Sequence, residues 1–190
     1  GKTMDYYYNV LTTVAINMIA ILSMYLLIGL TGIFSMGQAS FMCVGAYTAG
    51  MLATKTALPF GVVIIISIAA GLLSALFVGI PVIKLRRDYI ALVTLGFGEA
   101  VVALLNNMSN ITGGANGINN IPRKVNLWIA LGFLVVVVFI ILNFKNSRFG
   151  RYCIAIKNDE LSAAAMGINV ARIKLLSFVI AGGITALAGC

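Results

Sequence analysis

Four apolar runs, each about as long as a bilayer core is thick, leave this chain few folds to choose from. Val10 to Ile28, Val62 to Ile83 and Leu127 to Phe144 are nearly free of charge, and Tyr89 to Leu105 repeats the pattern with one acidic residue, Glu99. About twenty such residues cross roughly 30 Å of hydrocarbon as a helix, and a helix satisfies its own backbone hydrogen bonds there. A fifth run, Leu175 to Cys190, has the same character and reaches the end of the sequence. Charged residues make up 9% and hydrophobic ones 61% of the 190 residues, where a soluble domain carries about a quarter charged. The chain therefore reads as an all-α, polytopic transmembrane helix bundle.

Residues 32–53 fit that pattern least well. The thirteen residues from Phe41 to Ala53 rise only about 20 Å as a helix, short of a full crossing. Either the helix borrows the preceding stretch from Gly32 to Ser40, or the segment is broken or re-entrant. Gly32, Gly37, Gly45 and Gly50, with Ser35 and Ser40, suit irregular backbone and close helix approach. Nine of the thirteen basic residues fall in two clusters: Lys84, Arg86 and Arg87, and Lys145, Arg148, Arg151, Lys157, Arg172 and Lys174. By the positive-inside rule both are cytoplasmic, which puts residues 107–126 outside. Tyr6–Tyr8 then lie outside if residues 41–53 cross, and inside if they re-enter. The outer loop is expected to turn on positive-φ glycines at Gly113, Gly114 and Gly117.

The polar island from Asn146 to Phe178 carries seven charged residues between two apolar runs. Asn158 is expected to cap a helix of about two turns, with Asp159 and Glu160 in its first turn, where carboxylates complement the helix dipole. Leu161, Ala164 and Ala165 follow at helical spacing, Gly167 stops the helix, and Asn169 lies in the exit turn. Two readings stand for this helix: a docking surface for another protein, or an interfacial helix resting on lipid headgroups. Its Ala-rich apolar face is poor anchor material, which favours docking. In the fourth run Glu99 falls about 15 Å deep, where an ionisable group faces a bundle interior, as part of a pathway or as a structural pin.

Catalytic chemistry has little to work with. The chain has no His, and Cys43, Cys153 and Cys190 stand apart. It has no phosphate-binding Gly-rich loop with Lys, no nucleophilic triad and no metal-ligand spacing. No enzymatic activity, metal or cofactor is expected. The net charge of +8 is accounted for by orientation in the membrane, so a nucleic-acid partner is not expected either.

LTGIFSMGQASFMCVGAYTAGMLA at 30–53, DYIALVTLGFGEAVVALLNN at 88–107, TGGANGI at 112–118 and RFGRYCIAIKNDELSAAAMGINVARIKLLSF at 148–178 resemble, in order and spacing, the permease subunits of branched-chain amino acid ABC importers. The likeness is to the second of the two permease types, and urea and short-amide ABC permeases are close relatives. The resemblance implies one transmembrane permease domain over 1–190, incomplete at both ends, with a cytoplasmic coupling loop over 145–173. It implies a bacterial cytoplasmic membrane and partners comprising two cytoplasmic ABC ATPase subunits, a second related permease and an extracytoplasmic solute-binding protein. Coupling to the ATPases would run through Asn158, Asp159, Glu160, Leu161, Ala163, Ala164, Gly167 and Asn169. Gln38, Ser40, Thr94 and Glu99, sparse polar groups beside Gly breaks, are candidates for the translocation path. An ion-coupled secondary transporter is the rival reading; it calls for more intramembrane ionisable groups than Glu99.

Overall fold

The computed structural model describes residues 1–33, 35, 37–82, 84, 85, 87–121 and 125–190. Ile83 and Arg86 of the sequence reading lie outside the described residues. The described residues are helical throughout apart from their connections. The elements are α1 (Lys2–Met24), α2 (Gln38–Lys55), α3 (Phe60–Val82), α4 (Arg87–Asn107), α5 (Ser109–Thr112), α6 (Leu127–Asn146), α7 (Arg148–Asn158), α8 (Glu160–Ala165) and α9 (Val170–Gly189). A wider-wound π segment, Tyr25–Thr31, prolongs α1. Five helices are long and apolar enough to cross a membrane: α1 with its π extension, α3, α4 from Tyr89, α6 and α9. All five coincide with the apolar runs.

The chain order places two ends. At one end Thr12 and Thr13 of α1, Ala53 of α2, Phe60 of α3, Ile121 and Val125 of the outer loop, and Cys190 line one cavity of about 520 Å³. Tyr8 shares a neighbouring cleft with Asn126 and Trp128. At the other end the Lys157 ammonium of α7 donates to the Gly29 carbonyl near the end of the π segment, at 2.8 Å. There it fills the role of a cation at a helix C-terminus. The antiparallel packing of α3 and α9, with Gly79 against Leu175 and Phe178, brings Lys84 to this same end.

The described residues between Gly32 and Ala53 can now be placed. The π segment stops at Gly32, whose φ of 73° is left-handed, and Ile33 N–H closes back on the Leu27 carbonyl at 3.0 Å. α2 begins at Gln38, with Gly37 against the Thr94 carbonyl, and reaches Gly50, which lies against Ile118 and Ile121 of the outer loop. The chain thus passes from the inner to the outer end between Thr31 and Lys55. The helix borrows Gln38–Ser40 from the preceding stretch and runs unbroken to Lys55 toward the outer end, and Tyr6–Tyr8 lie at that end as well.

The core gathers on α9. Phe41 of α2 packs edge-on against Phe178 of α9 and tilted against Phe97 of α4, both at 5.6 Å between ring centroids. Gly45 of α2 and Gly71 of α3 both lie against Ala186, so closely that a Cβ on either would collide with it, and one on Gly182 would strike Ala75. Leu26, Leu27, Ile90, Ile156 and Ile173 close the inner end. Adding a methyl at Gly45 should therefore part α2 from α9 at a cost of about 1–3 kcal/mol. Gly132 of α6 has open space around its missing Cβ, and Ala there should stabilise by up to about 1 kcal/mol through helix propensity. Thermal unfolding of purified Gly45→Ala and Gly132→Ala proteins in detergent should shift in opposite directions.

Candidate functional site

The inner face is built from three consecutive helices. Ser147 caps α7, its hydroxyl accepting from Gly150 N–H at 3.3 Å, and Gly150, Cys153 and Ile156 form the buried stripe of that helix. α7 ends at Asn158, which corrects the expectation that Asn158 caps the next helix. Asp159 does so: its Oδ1 accepts from the Leu161 and Ser162 N–H groups at 3.0 and 3.3 Å, and its Oδ2 from the Ser162 hydroxyl at 2.6 Å. A carboxylate takes two helix-end donors at once, whereas Asn158 is committed to the preceding turn. The Ser162 hydroxyl foremost, with the backbone donors, holds the Asp159 carboxyl below the usual carboxylate range.

α8 closes with a double bond of the kind that Gly makes possible. Gly167, at φ 86°, donates to the Ala164 carbonyl, and Ile168 donates to the Ala163 carbonyl. Asn169 is more than an exit residue: its Oδ1 accepts from Arg172 N–H at 3.2 Å and caps α9. Ala163 alone of α8 is buried. Leu161 and Met166 stand 83% and 84% exposed, and Ala164, Ala165, Asn158 and Gly167 are exposed beside them. Arg148, Arg151, Lys157 and Arg172, on the helices either side of α8, are exposed as well. Glu160 points the other way, its Oε1 2.6 Å from the Nζ of Lys174, a residue 3% exposed.

Three of the four path candidates come together inside the bundle. Gln38 is buried, and its Oε1 accepts from the Thr185 hydroxyl at 2.7 Å. Thr185 in turn lies 2.7 Å from the Ser23 hydroxyl of α1, while the Gln38 Nε2 has no partner among the described residues. Ser40 is buried where Gly98 of α4 comes close, and Thr94, fully buried, donates to its own helix at the Ile90 carbonyl and adjoins Gly37. Glu99 departs from the group. It is exposed on α4 beside Leu95 and Val102 and makes no ion pair among the described residues, so the reading of it as a pin to a neighbouring helix finds no support.

Residues 6–190 match the family described as branched-chain amino acid transport system, permease component. The chain belongs to this family. Among curated relatives, the high-affinity branched-chain amino acid transport system permease proteins LivM of Salmonella typhimurium and Escherichia coli are each 32% identical over 95% of this chain and 51% of their own length. The probable branched-chain amino acid transport permease protein LivM of Methanocaldococcus jannaschii is 26% identical over 73% of this chain and 44% of its own length. The chain thus spans about half the length of the curated relatives it matches. No solved structure matches it. It is a multi-pass protein of the cytoplasmic membrane.

Sequence reasoning missed α7, Met166, and the inward partners Lys174, Thr185 and Ser23. A signal for α7 was present: Ser147 as a cap, then small or apolar residues three apart at 150, 153 and 156. Because the folded carboxyl of Asp159 titrates below its ordinary value, about 3.9, the cap's contribution is complete above that pH and is lost only as pH falls through the folded value. Between pH 5 and pH 8, by that sign, protection of the Leu161 and Ser162 amides should not change. Asp159→Ala should speed their hydrogen exchange at neutral pH, and Asp159→Asn should leave most of the protection in place.

Proposed function

We propose that this chain forms the core of a permease subunit of an ATP-driven importer that carries leucine, isoleucine or valine across the cytoplasmic membrane. The observation that carries this reading is α8: a capped, six-residue helix at the inner end that exposes Leu161 and Met166 on a segment rich in exposed cations. Side chains so apolar and so exposed on a polar segment are suited to a protein groove. The occupant is a cytoplasmic ABC ATPase, one of two, whose closure on ATP would push α8 against the bundle. Asn158, Asp159, Leu161, Ala164 and Gly167 face that partner. Ala163 and Asn169 hold the helix in place, and Glu160 braces it from behind.

The substrate class follows the names of the LivM relatives. Gln38, Ser40 and Thr94 mark the path where α2 begins beside α4. Glu99, roughly 18 Å along α4 from Arg87, is too costly to leave against lipid, and its face of α4 is assigned to protein, a second related permease. An external solute-binding protein would dock at the outer end around Gly113–Gly117.

Leu161→Asp combined with Met166→Asp should leave membrane levels of the full-length protein intact while abolishing copurification of ATPase subunits and uptake of branched-chain amino acids. Retention of both activities would overturn the docking role. Gln38→Ala should lower uptake without changing copurification. Uptake of urea or amides in preference to leucine, or uptake without ATP in vesicles, would replace the substrate or the energy source in this reading.

A further inference from the structure

Glu160 sits in the helix that meets the ATPase but does not face it. Its carboxylate turns 2.6 Å onto Lys174, which lies fourteen residues later on α9 and is 3% exposed. The Asp159 cap and the Gly167 turn fix both ends of α8, so the carboxylate is presented from a rigid element. A buried ammonium without its partner is expensive, which makes this contact one that persists through motion rather than one that comes and goes. From Lys174 the helix runs eleven residues, about 16 Å, to Thr185, which holds Gln38 at the start of α2 and touches Ser23 of α1. Between those two points α9 packs against α3 through Gly71, Ala75 and Gly182, near backbone contact, so it has little room to flex and transmits displacement as a rod.

We propose that the Glu160–Lys174 ion pair is the strut that carries movement of α8 into α9 and so to the start of α2, with Lys174 acting as a positioning residue for transport. The assignment rests on the docking role of α8 argued above. A displacement of α8 that α9 follows alters the Thr185–Gln38 contact. An α8 cut loose from Lys174 still binds its partner through Leu161 and Met166 but moves alone. The pair therefore separates two properties that a purely structural role would lose together, assembly with the ATPase and the number of substrate molecules moved per ATP.

The test uses the full-length permease with its partner subunits in proteoliposomes, reading copurification, ATP hydrolysis and leucine uptake together. Lys174→Met is expected to keep the ATPase subunits and lower uptake per ATP by about tenfold or more, a magnitude typical of coupling between sites. Lys174→Arg is expected to retain coupling, and the charge-swapped Glu160→Lys, Lys174→Glu protein to regain most of it. Unchanged uptake per ATP in Lys174→Met overturns the strut, as does a swapped protein no better coupled than Lys174→Met, or loss of the ATPase subunits from Lys174→Met alone. Should Lys174→Met fail to reach the membrane, the swapped protein decides: coupled, it supports the strut; uncoupled, it overturns it. If the wild-type complex recovers no ATPase, the docking reading itself fails and takes the strut with it.

Discussion

Everything else in this fold depends on how closely α9 can approach α2 and α3. Lipid tails are as apolar as leucine, so side chains inside a bilayer gain little by leaving lipid for one another; association rests on tight packing and on hydrogen bonds between helices. Ala186 meets Gly45 on one side and Gly71 on the other, where no Cβ would fit. Those contacts put α9 in the middle and make it the most buried of the five candidate spans. Its hydroxyls then have to find partners within the protein, and Thr185 does so with the Ala181 carbonyl, Gln38 and Ser23. One close-packed seam thus determines where the polar residues of three helices meet.

The five spans were legible because hydrocarbon thickness is a constraint on single segments, and each apolar run meets it alone. The path of residues 32–53 was not legible, because its helix is shorter and more polar, and its direction is set by distant partners: Thr94 at one end, Ile118 and Ile121 at the other. Once those contacts are known, the side occupied by Tyr6–Tyr8 follows. The capping error was local. Asn158 and Asp159 are both good caps, and which one serves depends on where α7 ends, and that helix was hidden by the polarity of its exposed face. Met166 was overlooked because exposure cannot be read from a residue's type.

The candidate site divides along the same line. Leu161, Ala164, Gly167 and the carboxylates of α8 could be read from spacing, since capping and stopping are matters of neighbours in sequence. The direction of Glu160 could not. It depends on the turn from Met166 to Asn169 folding Lys174 back beneath α8, and on Gly167 taking a φ of 86° to make that turn. Glu99 shows the reverse case: its depth was legible and its surroundings were not. It lies on a face of α4 that the described residues leave open.

Two kinds of polar contact occupy α9, and their chemistry differs with depth. Near the inner end, where water is close to Glu160, the contact is ionic, and breaking it would strand a buried ammonium. Deeper in, Ser23, Thr185 and Gln38 are neutral, and the Gln38 amide keeps one polar atom unused. Neutral donors and acceptors exchange partners at the cost of about one hydrogen bond, roughly 0.5–1.5 kcal/mol net, while a charge at that depth would be several times more costly to uncover. A helix tied by ions at its base and by neutral groups at its middle is firm at the end beside α8 and yielding at its middle.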